Sequence, residues 1–393
     1  MDKHEVTQKI AHSFRNTQVG YIAECLEPVS GMMSIDDVLS MIDEKTGVTS
    51  LPVEENGSVT GLVPLKILEN KHGSLWESLV NANVSKFTNH STQIIDAMDN
   101  VERALLILIS RKTNPYDDFL ILHNGSYFGV GSFMKLTEHI TKLRDLDLTK
   151  ARELQRFLFR LNVSEKDKMD VKALVKTAHS LGGDFYIALP LRNDISLVAC
   201  FDVSGKNVSA SLTTSMLGAF FSTMMNTERF PEMSPAEVVN TLNKVVFDQT
   251  PAETYITGVM LFADRQRGTI DYYNLGHTPV FLFSNEPDGK TRIKVLNPNL
   301  MPLGIGELDE LDKNVKKIPI VEGMRFFMYS DGLTEARDKF GKMYGEEELK
   351  KFLISTYKHT LSDLIDDLDG EIARFTNGVV LPDDITVLAV EYK

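Results

Sequence analysis

Cysteine is almost absent: the chain has two, Cys25 and Cys200. They lie far apart in sequence, which excludes a disulfide framework and a thiolate zinc site, so the expected compartment is reducing. Cys200 sits inside an apolar, strand-like run, where a thiol behaves as a small buried hydrophobe. Long apolar runs are missing too. None approaches the roughly 18–20 residues that a membrane span needs, and the polar opening Met1-Asp2-Lys3-His4-Glu5 leads into no signal-like apolar core. A soluble cytoplasmic protein is expected. No long basic run occurs and the formal net charge is −13, which argues against binding a nucleic-acid backbone or an anionic lipid surface. Net charge says nothing against a local cation site built from clustered acids.

What is present is enough for sizeable cores: 393 residues, 42% of them hydrophobic and 25% charged, too many for one ordinary domain. The N-terminal third carries a faint duplication. A helical segment at Ile35–Ile42 precedes Leu51-Pro52-Val53, an Asn56-Gly57 turn and Val59–Val63. A second helical segment, about Val101–Leu108, precedes Phe119–Leu122, an Asn124-Gly125 turn and Tyr127–Val130. Asn-Gly between apolar alternating runs is a strong hairpin signal, and the two turns are 68 residues apart. Residues 17–143 resemble a tandem pair of CBS modules. That resemblance implies an adenine nucleotide as cofactor-like ligand of the pair. The Thr/Ser-x-x-Asp pattern usual for ribose binding is missing from Gly61–Lys66 and Gly129–Met134, so a dimerisation module without ligand is the competing expectation.

From Lys135 to Leu161 there is neither proline nor glycine, and a heptad frame aligns Ile140, Leu143, Leu154, Phe157 and Leu161. Asp147 and Lys150 interrupt that seam. A dimeric signalling helix and an ordinary amphipathic helix both fit.

Beyond Asp170 the chain turns β-rich, and four acidic sites border apolar strands. Asp184 opens Phe185–Leu189, Asp202 closes Leu197–Phe201, Asp331 follows Met324–Ser330, and Asp383-Asp384 precede Ile385–Val390. Any one of these alone reads more simply as a turn former or helix cap. Four at strand edges point to a shared site. All-oxygen ligands without Cys or His favour magnesium or manganese over zinc.

Six motifs then occur in order: Gly182-Gly183-Asp184-Phe185-Tyr186, Asp202-Val203-Ser204-Gly205-Lys206, Asn274-Leu275-Gly276-His277, Pro302-Leu303-Gly304-Ile305, Ser330-Asp331-Gly332-Leu333-Thr334-Glu335-Ala336 and Asp383-Asp384-Ile385-Thr386. About residues 151–393 resemble the SpoIIE/RsbU-like phosphatases, bacterial members of the metal-dependent PPM-type serine/threonine phosphatases. The resemblance implies an αββα sandwich with two ions between its sheets, either Mn2+ or Mg2+. By motif, Asp202 would bridge both ions, with the Val203 carbonyl on one of them. Asp184 would hold the second ion, and Asp331 with Asp383 the first, Asp384 being the competing assignment. The four aspartates would act through a metal-activated water that attacks phosphorus in line. His277 is assigned to loop structure rather than acid catalysis. Two positions depart from the family: Ile187, often aspartate, and Asn207, often glycine, at the start of a helix that is part of a regulatory switch in the family.

The expected fold class is α+β. An N-terminal tail (1–16) is followed by the CBS-like pair (17–143), a helical linker (144–166) and the phosphatase domain (167–393). The expected activity is hydrolysis of phosphoserine or phosphothreonine in a regulatory protein, typically a STAS-domain partner, under control of the pair, in a homodimer. A catalytically silent, ligand-responsive binding module is the rival from another class.

Overall fold

The computed structural model describes residues 13–41, 49–66, 83–111, 117–161, 168–192, 194–227, 232–285, 291–308 and 311–393. Ile42 of the first expected helix, residues 1–12 of the tail, 162–167 around the linker end and Asn193 lie outside them. The chain divides into two units, Met1–Asp147 and Leu148–Lys393.

In the first unit, Asn56 and Gly57 have φ of 53° and 80°, and Asn124 and Gly125 have 52° and 77°. Two successive positive φ angles make the turn whose twist suits a tight hairpin. The flanking residues pair accordingly: β2 (Ser50–Glu55) with β3 (Ser58–Pro64), and β5 (Phe119–His123) with β6 (Ser126–Gly131). Each hairpin also receives a short parallel strand, β1 (Val29–Ser30) on β2 and β4 (Ile94–Asp96) on β5. These are too short to leave a period-2 pattern in the sequence. Helices α1 (Ile35–Met41) and α2 (Val101–Ser110) complete two equivalent β-α-β-β copies. Gly61 and Gly129 occupy equivalent positions for one reason. A Cβ would come within 2.4 Å of the Asn89 carbonyl oxygen in the first case and 2.7 Å of that of Glu24 in the second. Each glycine thus admits the segment leading into the other copy. Leu62, Leu120 and Val130 fill the space between the copies.

Helix α3 (Phe133–Arg156) begins in the first unit, and its last residues belong to the second. The expected seam does not behave as one stripe. Ile140 and Leu143 pack into the first unit's core, whereas Leu154 and Phe157 are 69% and 77% exposed. Phe157 already lies past the helix end, and the side chain of Leu161 is outside the described set.

The second unit is a sandwich. Among the described residues, one sheet has the order β15-β12-β11-β10-β9-β7 and the other β14-β13-β16-β17-β8. Their ranges are β7 (Arg160–Leu161), β8 (Met169–Lys176), β9 (Asp184–Arg192), β10 (Ile195–Val203), β11 (Ile256–Asp264), β12 (Thr269–Leu275), β13 (Val280–Asn285), β14 (Thr291–Leu296), β15 (Lys316–Pro319), β16 (Arg325–Tyr329) and β17 (Ile385–Tyr392). Val198, Cys200, Val259, Leu261, Met328, Leu388 and Val390 meet between the sheets. The outer face of the first sheet packs under α4 (Asn207–Met225) and α5 (Pro235–Gln249). Beyond the short helices α6 (Leu311–Asn314) and α7 (Gly332–Glu335), helices α8 (Gly345–Thr356) and α9 (Leu361–Thr376) cover the second sheet. Both faces of β10 are therefore covered, which explains its unbroken apolar run. The expected αββα layering is what the chain forms. No described helix is long and apolar enough to cross a membrane.

Helix α4 is seated by aromatic stacking: the Phe221 ring lies 6.3 Å from Phe185 and 6.1 Å from Phe201, centroid to centroid. Phe221→Ala is expected to cost about 3–5 kcal/mol, the range for emptying a buried aromatic site. A guanidinium titration followed by far-UV circular dichroism should show the second unit's transition at lower denaturant, and an unmoved midpoint would contradict this packing.

Candidate metal centre

Strand parity brings the acids together. In β10, Val198 and Cys200 belong to the inter-sheet core, while Leu197, Ala199, Phe201 and Val203 belong to the helix side. Asp202 follows with the inter-sheet parity. Asp184 stands directly opposite Asp202 in the antiparallel β9–β10 register, so both carboxylates come to the same end of the same face. On the second sheet, Tyr329 pairs with Val387, which places Asp331, just after β16, beside Asp383-Asp384, just before β17.

Those two strand ends are locked. The Ser330 amide donates to the Thr386 carbonyl at 2.9 Å, and the Thr386 amide to Ser330 Oγ at 2.9 Å. Ser330 Oγ donates in turn to the Asp384 carbonyl at 3.1 Å. A Cβ on Gly332 would lie 2.0 Å from that carbonyl oxygen, so the Asp331-Gly332 step requires glycine.

Asp202, Asp331 and Asp383 line one cavity of about 430 Å3, together with Val203, Lys206, Thr257 and His277. Asp184 lines an adjoining cavity of about 340 Å3 with Asp384, Gln155 and Tyr186. A larger groove of about 580 Å3 runs along α5, lined by Asn240, Lys244, Phe247 and Glu307. It gathers no converging chemistry, so the acids and not the volume locate the site.

The two consecutive aspartates have different tasks. Asp384 is buried and accepts from the Ala178 amide at 2.8 Å and the Gly183 amide at 2.6 Å. It latches the loop that carries Asp184. Asp383 faces the larger acid-lined cavity, where Lys206 Nζ stands 2.9 Å from its Oδ2.

The electrostatics are those of crowded, desolvated carboxylates. Burial pushes Asp202 up to about 7, helped by the charges of Asp331, Asp383, Asp384 and Glu335. Asp184 is raised well above the usual carboxylate range, by burial first and by Asp202 next. The neighbouring Ser330 and Thr386 side chains offset part of this, and Asp184 Oδ2 is buried without a hydrogen-bond partner. Asp331 and Asp384 are also raised, mainly by desolvation. A divalent cation would relieve this repulsion, and the donors are hard oxygens, so the residues fit magnesium or manganese. Among the described residues, no group of three His, Cys, Asp or Glu side chains encloses an ion as it stands. The Lys206 ammonium holds a place of positive charge beside Asp383.

His277 is buried, and burial lowers its imidazole to about 4. Its amide donates to Asn274 Oδ1 at 2.8 Å, and its Nδ1 shares a hydrogen bond of 2.9 Å with Thr257 Oγ1. Asn274 Nδ2 further donates to the Thr278 carbonyl and to the Tyr272 hydroxyl. These contacts structure the loop, although His277 also lines the Asp202 cavity. Ile187 packs in the helix-side core with Phe185 and Leu189, so its departure from the family lies on the sheet face opposite Asp184. Thr257 and Glu335 are the site neighbours that sequence reasoning missed as functional groups. Thr257 carried no signal, whereas Glu335 lies inside a quoted motif.

A family model described as Stage II sporulation protein E (SpoIIE) matches residues 194–393, just over half of the chain. The chain belongs to the SpoIIE family. Protein IcfG of Synechocystis sp. is 25% identical to it over 305 residues, covering 70% of this chain and 46% of IcfG. Phosphoserine phosphatase RsbU of Bacillus subtilis is 23% identical over 273 residues, covering 67% of this chain and 77% of RsbU. The chain therefore spans under half of one relative and most of the other. The solved SiaA-PP2C domain of Pseudomonas aeruginosa superposes with a TM-score of 0.54 at 19% identity, covering 65% of this chain and 99% of that domain. That likeness shows the PP2C fold, in agreement with the αββα layering of this SpoIIE-family chain.

Two outcomes follow for the metal-free SpoIIE-family chain. Asp384→Asn should destabilise it by about 1–3 kcal/mol, because one buried backbone N–H then faces an amide NH2. Asp383→Asn should change stability by less than about 1 kcal/mol, since it gives up only a half-exposed ion pair; urea unfolding of both variants in chelator checks the division. Secondly, the folded-state pKa values of Asp184, Asp202, Asp331 and Asp384 lie above the unfolded value of about 3.9. The stability they contribute is complete below about pH 4 and is lost as pH rises through about 7, the Asp202 value. Between pH 5 and 8 chelated protein should lose thermal stability, and manganese should restore it mainly at pH 8. A melting temperature independent of both pH and manganese would contradict the assignment.

Proposed function

We propose that this chain is a metal-dependent protein phosphatase that hydrolyses phosphoserine or phosphothreonine in a regulatory protein. One observation carries the reading: five aspartates from four strand ends, four of them with raised proton affinity, converge at one end of a PP2C-type sandwich. Asp202, the Val203 carbonyl, Asp331 and Asp383 would hold divalent ions in the larger acid-lined cavity, and Asp184, opposite Asp202 in the register, would hold the second ion. Asp384 would act through its latch on Gly183. When bound, two such ions supply an acidified water for in-line attack and neutralise charge on the phosphoryl oxygens. The chain's own residues position the ligands, hold Asp202 opposite Asp184, and keep Lys206 next to the acids. A divalent ion on Asp383 would compete with the Lys206 ammonium for the same carboxylate.

The substrate class we infer is a phosphorylated STAS-domain protein of a partner-switching system. The phosphoserine phosphatase RsbU is a relative over two thirds of this chain, which supports the phosphoserine reading. The N-terminal pair is proposed as the sensor, acting through α3, with an adenine nucleotide as its ligand class and a homodimer as its assembly. The duplicated β-α-β-β copies and the exposed Leu154 and Phe157 support that reading. The deciding experiment is hydrolysis of a phosphoserine STAS protein with manganese, with and without chelator. Asp202→Ala and Asp331→Ala should each lower turnover about 10²-fold or more, the scale of losing one preorganised charge stabiliser. Full activity in either variant, or in chelator, would overturn the metal mechanism. No turnover on any phosphoprotein would favour the binding-module reading.

A further inference from the structure

Gln155, at the end of α3, is only 6% exposed although it carries a full carboxamide. Burying an amide is costly unless its hydrogen bonds are met. Here they are: Nε2 donates to the Gly182 carbonyl at 2.7 Å and to Thr214 Oγ1 at 2.6 Å, and Oε1 accepts from the Gly182 amide at 3.3 Å. Three separate elements meet at one side chain: the end of α3, helix α4 and the loop entering β9. A leucine could fill the volume, but it could not pair with both the amide and the carbonyl of Gly182.

The position of that peptide matters. The next residue, Gly183, donates its amide to Asp384 Oδ2 at 2.6 Å and accepts the Val203 amide at 3.3 Å. The residue after it is Asp184. A Cβ at Gly182 would come 3.2 Å from Asp384 Oδ2, so the loop lies tight against that carboxylate. Gln155, Gly182, Asp184 and Asp384 also line one cavity. Beside them Arg152 Nε donates to the Ser180 carbonyl at 2.6 Å, a second tie from the same helix to the same loop.

We propose that Gln155 is a positioning residue for the metal centre: its carboxamide fixes the Gly182-Gly183 peptide, and through it Asp184, Asp384 and Val203. The inference rests on the phosphatase reading above. It also makes the last turn of α3, which precedes the segment matched by the family model, part of the catalytic unit. Gln155 touches none of the reacting atoms; it acts through the backbone that carries the ligands.

The test uses the full chain, freed of metal and titrated with manganese by isothermal calorimetry, with phosphoserine-protein hydrolysis measured in parallel. Gln155→Met keeps length and apolar stem but removes every hydrogen bond of the amide. Its manganese dissociation constant should rise about tenfold or more, the effect typical of residues that orient metal ligands. Thr214→Val, which removes one partner, should shift it in the same direction by less. Saturating manganese should restore most of the turnover in both. A lower melting temperature with unchanged manganese affinity would mean that Gln155 merely braces two helices, and would overturn the proposal. Should Gln155→Met fail to fold, Thr214→Val decides: an unchanged constant overturns the proposal. If the unmodified chain neither binds manganese nor hydrolyses the phosphoprotein, the phosphatase reading fails and this inference with it. If it does both and the variants match it, this inference alone fails.

Discussion

Carboxylates crowded where water is scarce are the constraint on which the second unit depends. Asp184 and Asp202 are direct partners across β9 and β10, and neither can move away without breaking the register of a sheet buried on both faces. Their repulsion is sustained by cores whose apolar contacts far outnumber the few acids at their end. Strain of this kind is common at functional sites, where the surrounding fold over-determines an unfavourable local arrangement.

Backbone hydrogen bonds then decide what each acid does. Asp384 gives both carboxylate oxygens to the Ala178 and Gly183 amides, so it is a structural latch, while Asp383 accepts the Asp384 amide on Oδ1 and turns Oδ2 to Lys206 and the cavity. The Gly182-Gly183 loop is gripped from one side by Asp384 and from the other by Gln155. Helix α3 therefore ends on the same peptide that feeds Asp184 into β9. A rearrangement of that helix end would reach Asp184 through two residues, a much shorter route than through the packed sheets.

The first unit uses other devices for a similar economy. Two Asn-Gly turns and two glycines, Gly61 and Gly129, repeat 68 residues apart because both copies need the same turn and the same close backbone approach. The side chains around them differ, as positions filled only by bulk can.

By itself the sequence determined the local events. Alternation and turn residues marked both hairpins, and the ordered motifs marked four acidic strand ends and the αββα class. These are read within a few residues of chain, where propensity and period carry the information. The strands β1 and β4 were too short to register. The heptad frame on α3 could not reveal that Ile140 and Leu143 are taken up by the first unit's core while Leu154 stays exposed. Only the tertiary structure shows that Asp384 is engaged by backbone amides, because those amides lie more than 200 residues away in sequence. The same holds for the partners of Gln155, Gly182 and Thr214, which lie 27 and 59 residues further along the chain. Hydrogen bonds between distant segments leave no periodic trace, and they are what set the roles in this site.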